Sequence, residues 1–107
     1  MERLDEYRQY IKKYGSYKPY YGHVEVQIIF DREHDHYQLF SVGWDGNERI
    51  RRCILHIDIK DEKIWIQHNG TEVGVANELV EMGGPKHNIV LAFHAPARRK
   101  YTEFAVS

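Results

Sequence analysis

Leu55-His56-Ile57-Asp58-Ile59-Lys60-Asp61-Glu62-Lys63-Ile64-Trp65-Ile66-Gln67 alternates apolar and polar residues on either side of an acidic pair. A period of two marks strands, because successive strand side chains point to opposite faces. Two such runs joined by two turn residues read as a β-hairpin. With Asp61-Glu62 as the turn, Ile59 pairs with Ile64 and Ile57 with Ile66. Those four side chains share a face with Leu55 and Cys53.

Upstream, the same period recurs. The long third strand runs from about Arg49 to Lys60, and Asp45-Gly46 before it is a hairpin turn signal. A second strand spans His36 to Trp44 and follows the polar loop Asp31-Arg32-Glu33-His34-Asp35. In the first, Val24, Val26, Ile28 and Phe30 alternate with Glu25, Gln27 and Asp31. Residues 23 to 68 therefore predict a four-stranded antiparallel meander.

Helical spacing flanks it. Leu4, Tyr7, Ile11 and Tyr14 fall on one face of a helix over residues 2 to 14, stopped by Gly15. A second helix follows the meander, with Asn69 and Glu72 as a capping box and Val73, Ala76, Leu79 and Val80 as its apolar face. Gly83-Gly84-Pro85 ends it. The run Ile89-Val90-Leu91-Ala92-Phe93 is a fifth strand, or else a buried turn of helix, and the tail 101–106 is apolar enough to dock. The expected fold class is α+β, with both helices packed on one face of the sheet, in a single domain over residues 1–107.

Strand parity sorts the two faces. Ile50 falls out of phase with Leu55, Ile57 and Ile59 yet suits a place opposite Val42, so a β-bulge is expected near Arg51-Arg52. That bulge would put Phe40, Val42 and Trp44 inside. The outer face would then carry Ile29, Tyr37, Leu39, Ile54 and Trp65, edged by Asp35, His56, Asp58 and Gln67. So apolar a face, with both helices used on the inner one, is expected to meet a protein partner or a second copy. The alternative is that the C-terminal tail folds back over it. The residues expected at a partner are Ile29, Tyr37, Leu39, Ile54, His56, Asp58, Trp65 and Gln67.

Composition narrows the function classes. Fifteen basic against sixteen acidic residues give a net charge of -1. Duplex-DNA binders draw most of their affinity from a strongly basic surface, so any nucleic-acid contact needs a local patch, and Arg98-Arg99-Lys100 is the dense one. The basic and tyrosine-rich segment from Tyr7 to Tyr21 suits base stacking, but its helical spacing favours core packing. A lone Cys53 excludes an internal disulfide and suits a reducing compartment. The charged start Met1-Glu2-Arg3-Leu4-Asp5-Glu6 lacks a signal core, and no apolar run approaches membrane-span length. A cytoplasmic location is expected.

Catalytic patterns are sparse. Cys53 and His56 lie three apart on a strand and point to opposite faces, so they form no local thiolate–imidazole pair. No nucleophile elbow, P-loop or dinucleotide fingerprint is present. Asp58-Ile59-Lys60 has the D-x-K spacing of metal-dependent nucleases, which need a second acidic residue close by. Asp45 would stand roughly 40 Å away along the strand, whereas Asp35 should pair near Asp58. The histidines His34, His36 and His56 lack the cysteines or helical H-x-x-x-H of a strong zinc site. No catalytic residue, cofactor or metal is assigned.

The segments Tyr17-Lys18-Pro19, Gly43-Trp44-Asp45-Gly46, Leu55 to Lys60, Lys63-Ile64-Trp65-Ile66-Gln67, Glu78-Leu79-Val80 and Thr102-x-Phe104-Ala105-Val106 resemble, in that order, the XisI family. This is the fdxN element excision controlling factor of cyanobacteria. The resemblance covers nearly the whole chain. It implies an accessory protein in programmed DNA excision during heterocyst differentiation, with a separate site-specific recombinase performing the strand chemistry. It also implies a protein partner, XisH, which has a nuclease-like fold, and it carries over no catalytic residues. Three functions are weighed: a regulatory protein binding XisH or the recombinase through the outer face, a DNA-contacting factor using Arg98, Arg99 and Lys100, and an enzyme centred on Asp35, His56 and Asp58.

Overall fold

Asp61 and Glu62 both take left-handed backbone, with φ of 54° and 63°. A two-residue hairpin turn of type I′ asks for positive φ at both central positions. The strands they join are β3 (Glu48–Lys60) and β4 (Lys63–Asn69), and the pairs Ile59–Ile64 and Ile57–Ile66 form as expected. Gly46, φ +63°, opens the turn between β2 (His36–Asp45) and β3, where a type II′ turn calls for glycine. The computed structural model describes Arg8, Gln9, Ile11, Lys12 and residues 23–70 and 74–107.

The sheet has five strands in the order β1-β2-β3-β4-β5, with β1 spanning His23–Asp31 and β5 Ile89–Leu91. The first four pair antiparallel. The fifth lies parallel to β4, so the sheet is mixed, a refinement of the antiparallel expectation. Its cause is the chain between them: helix α1 (Val75–Glu81) and a 3-10 turn (Lys86–Asn88) carry the chain back to the start of β4, as a parallel crossover requires. A short helix α2 (Pro96–Arg99) follows, with Pro96 at its first turn.

Of the predicted N-terminal helix, Arg8, Gln9, Ile11 and Lys12 are helical, and the rest lies outside the described residues. Ile11 joins Val75 and Leu79 in one buried cluster with Tyr37, Leu39, Leu55, Ile57, Ile64 and Ile66. Each such side chain contributes about 1.5–3 kcal/mol by leaving water. Of the second helix, Val75–Glu81 is helical, and the predicted Glu72 and Val73 lie outside the described residues. Asn69 is the last residue of β4 rather than a cap, and Gly74 precedes α1.

Parity is where the sequence expectation fails. The β2–β3 register shifts between Leu39–Leu55 and Phe40–Cys53, leaving Ile54 as the extra residue. The bulge thus sits in Cys53-Ile54-Leu55, not near Arg51-Arg52. Adjacent side chains at a bulge can turn to the same side, and Ile54 and Leu55 are both buried, 5% and 1% exposed. With the extra residue there, β2 keeps one phase throughout. Tyr37, Leu39 and Ser41 face the core, while Phe40, Val42 and Trp44 face outward with Cys53, Arg51 and Arg49, their partners across the pair. A second shift makes Gln67 the extra residue of β4 and lets pairing run on to His68 and Asn69.

The C-terminal tail docks in the plane of the sheet. Ala105 bridges Val90 in parallel, its N–H donating to Ile89 O at 2.9 Å. Lys63 Nζ donates to Ser107 O and Lys86 pairs with Glu103 at 2.8 Å. The tail therefore extends the β5 edge instead of folding over the outer face.

Candidate functional site: the outer sheet face

β-pairing places His36 opposite Asp58, and Asp58 opposite Trp65, across three strands on the side away from α1. Asp58 is the hub. His36 Nδ1 lies 2.9 Å and His56 Nε2 3.0 Å from its Oδ1, and Gln67 Nε2 donates to Oδ2 at 3.2 Å. The Gln38 amide lies 3.4 Å from His56 Nε2. Five polar side chains from β2, β3 and β4 are thereby locked into one network. The hydrogen bond with Asp58 holds the His36 imidazolium and raises its pKa above the ordinary 6.5.

Towards the β2–β3 turn the face changes character. The Arg49 guanidinium lies 5.3 Å from the Trp44 ring and that of Arg51 5.5 Å from Phe40. At the opposite end Trp65 is clasped by Lys60, whose Nζ lies 4.2 Å from the ring centre, and approached by Arg99 at 5.7 Å. Cation–π contacts of this kind order long basic side chains over flat aromatic surface. The face is thus a polar centre between two cation–aromatic ends. Trp44, half exposed, and Ile29, 49% exposed on β1, keep apolar area open to solvent.

Of the residues expected at a partner, Ile29, His56, Asp58, Trp65 and Gln67 lie on this face. Tyr37, Leu39 and Ile54 do not. They are 2%, 1% and 5% exposed in the core, because the bulge falls at Ile54. Phe40, Val42, Trp44, Arg49 and Arg51 take their place, and the apolar run Cys53-Ile54-Leu55 was the signal that could have located the bulge. Cys53 itself is half-buried, and burial pushes its thiol pKa up, which disfavours the reactive thiolate.

The three acid–base candidates do not assemble. Asp35 turns to the helix side, where Arg8 Nε and Nη2 donate to its two carboxylate oxygens and the Tyr37 hydroxyl donates at 2.7 Å. His56 and Asp58 stand on the other face. His34 is tied to Asp31 at 2.8 Å. The nitrogens of His36 and His56 converge on one oxygen of Asp58 rather than on a common empty point. Among the described residues no group of three or more His, Cys, Asp or Glu is placed to hold a metal ion.

The basic patch is also divided. Arg99 donates to the carbonyls of His94 at 3.1 Å, Ala92 at 3.3 Å and Val106 at 3.4 Å, so its guanidinium is spent on the chain's own backbone. Lys100 lies over Tyr101 at 5.3 Å. Arg98 is exposed and, with His94, Tyr101 and Thr102, lines an open cavity of about 430 Å³.

The sequence matches the family model described as XisI protein over residues 1–106. The chain belongs to the XisI family. Two solved structures, both from Anabaena variabilis ATCC 29413, share the XisI fold. A XisI-like protein superposes with a TM-score of 0.89 at 44% identity, covering 99% of this chain and 97% of the other. The fdxN element excision controlling factor XisI superposes with a TM-score of 0.81 at 34% identity, covering 98% and 99%. No curated protein sequence matches the chain. Among the described residues no helix is long and apolar enough to cross a membrane.

Proposed function

We propose that this chain is a XisI-type excision controlling factor that performs no chemistry of its own and works in the cytoplasm by binding a protein on its outer sheet face. The partner is an XisH-like protein or the site-specific recombinase of the excised element. The observation that carries this reading is the outer face itself: an ordered polar network on Asp58 between cation-bearing aromatics, with Trp44 half exposed. Interface cores favour tryptophan and arginine in this way. Kinship with the excision controlling factor XisI supports the biological process.

Co-expression with the XisH-like protein, followed by mass measurement of the purified complex, tests the reading. Trp44→Ser and Gln38→Lys alter only exposed or half-buried positions. Each should weaken the complex at least tenfold with the circular dichroism spectrum unchanged. Full affinity in both variants would refute docking on this face.

A second reading rests on the exposure of Arg98 and Lys100 beside the cavity. Contact with DNA there should weaken steeply as salt rises, whereas a protein complex through the outer face should not. Metal-dependent nicking that disappears in Asp58→Ala would instead support an enzyme.

A further inference from the structure

Strand β1 is the first strand in the sheet order and, among the described residues, an edge strand. β2 occupies one side of it, and among the described residues nothing is hydrogen-bonded to the other. Exposed edges are commonly blunted by lysine, proline, bulges or shortness. His23-Val24-Glu25-Val26-Gln27-Ile28-Ile29-Phe30-Asp31 has none of these: it is nine residues long, contains no Lys, Pro or Gly, and pairs with β2 from end to end without a register shift. Ile28 and Ile29 are 50% and 49% exposed although they point to opposite faces. A regular edge with apolar side chains above and below is a template for another strand.

The strand complements itself. A two-fold axis perpendicular to the sheet keeps the helix-bearing faces of two copies on the same side, and it must run midway between one residue and that residue's own copy. Centred on Gln27, the middle of the nine, it uses the whole strand. Val26 then faces Ile28 of the second copy and Val24 faces Phe30, all on the helix side. On the outer side His23 faces Asp31 and Glu25 faces Ile29. The Asp31 carboxyl, hydrogen-bonded by His34, is held below its usual pKa and stays charged. Moving the centre to Ile28 sets Glu25 against Asp31, like charges directly opposed, which is destabilising. Moving it to Val26 leaves Phe30 and Asp31 opposite positions 22 and 21, outside the strand.

We propose that β1 is a homodimerisation strand: two copies pair antiparallel about Gln27, joining two five-stranded sheets into one of ten. This leaves the outer face of each copy open, and it does not rest on the function proposed above.

The purified chain at about 100 µM should show twice the 12.8 kDa monomer mass by light scattering, and Ile28→Lys should weaken self-association at least tenfold with unchanged circular dichroism. Register is tested in a Cys53→Ser background. Across an antiparallel pair the Cα atoms stand about 4.5–5.5 Å apart, within disulfide reach. Gln27→Cys should therefore oxidise to a covalent dimer, while Glu25→Cys, displaced from its copy by about 13 Å, should not. A monomeric wild-type protein would overturn the proposal. So would a dimer that survives Ile28→Lys and gives no Gln27→Cys cross-link, since another face would then hold it together.

Discussion

Arg8 and Asp35, 27 residues apart in sequence, form a two-pronged ion pair that fastens the N-terminal helical residues to the β1–β2 loop, with Nε to Oδ1 at 3.0 Å and Nη2 to Oδ2 at 3.1 Å. The Arg8 hydrogen bond, helped by that of Tyr37, lowers the Asp35 pKa below its ordinary 3.8. A depressed carboxyl pKa adds stability that is present above the unfolded value, about 3.9, and is lost as pH falls through the lower folded value. Asp35→Asn should cost about 1.5–3 kcal/mol at pH 7, the range for hydrogen bonds to charged groups. It should cost less below pH 4. Asparagine tolerates the positive φ of 58°, so backbone strain does not confuse the comparison. Urea unfolding of both proteins at pH 7 and pH 3 checks it.

His36 offers a second titration, of opposite sign. Its raised pKa means that the interaction with Asp58 favours the folded state most at pH below about 6.5, the unfolded value, and fades as pH rises through the folded one. NMR of the His36 ring should report a midpoint above 6.5, and Asp58→Asn should bring it down. A midpoint that does not respond to Asp58→Asn would show that the pair does not persist in solution.

Arg99 is expected to act as a clasp for the tail rather than as a free cation. Its three backbone carbonyl contacts reach both the loop before α2 and Val106. Lysine cannot reproduce the planar fork. Arg99→Lys and Arg99→Ala should both destabilise by about 1–3 kcal/mol and speed carboxypeptidase trimming of the tail, whereas Arg98→Ala should do neither. Thermal unfolding and mass spectrometry of the digests distinguish these outcomes.

Gly43 pairs with Val24 near the start of β1. A Cβ there would collide with the carbonyl oxygen of His23 and stand 2.7 Å from Val24 Cα, both backbone atoms that cannot swing aside. Gly43→Ala should therefore prise the start of β1 from β2, at a cost of about 2 kcal/mol or more. Hydrogen exchange should quicken at Val24 and Val42 before the β3–β4 hairpin is affected. Gly46→Ala, with nothing within 4 Å of the added carbon, isolates the penalty of positive φ alone.

The β3–β4 hairpin was legible because its turn and its period agree, so Ile57–Ile66 and Ile59–Ile64 followed from counting outward. The phase of β2 was not. Ile50 breaks the alternation, but nothing local says whether the extra residue sits beside it or further along. Placing it near Arg51 sent Phe40, Val42 and Trp44 inside and Tyr37 and Leu39 outside, the reverse of what packing selects. His56, Asp58, Trp65 and Gln67 fall on the expected face because they lie beyond either placement of the extra residue and keep their phase with the β3–β4 hairpin. The role of Arg99 is carried by carbonyls, and backbone acceptors leave no trace in the identity of the residues that bear them. Position alone makes Asp35 a neighbour of Asp58, while its side chain turns to Arg8.

Because the surplus residue of β3 is absorbed at Ile54, every other pair with β2 is indifferent to its presence: Cys53 meets Phe40 and Leu55 meets Leu39 on either side of it. The β2–β3 pairing thus has one place where chain length and side-chain orientation are uncoupled. A relative one residue shorter there could keep the same Asp58 network and the same buried isoleucines, giving up only the packing of one side chain. An ungapped alignment of such a shorter relative would assign half of β3 to the wrong side of the molecule.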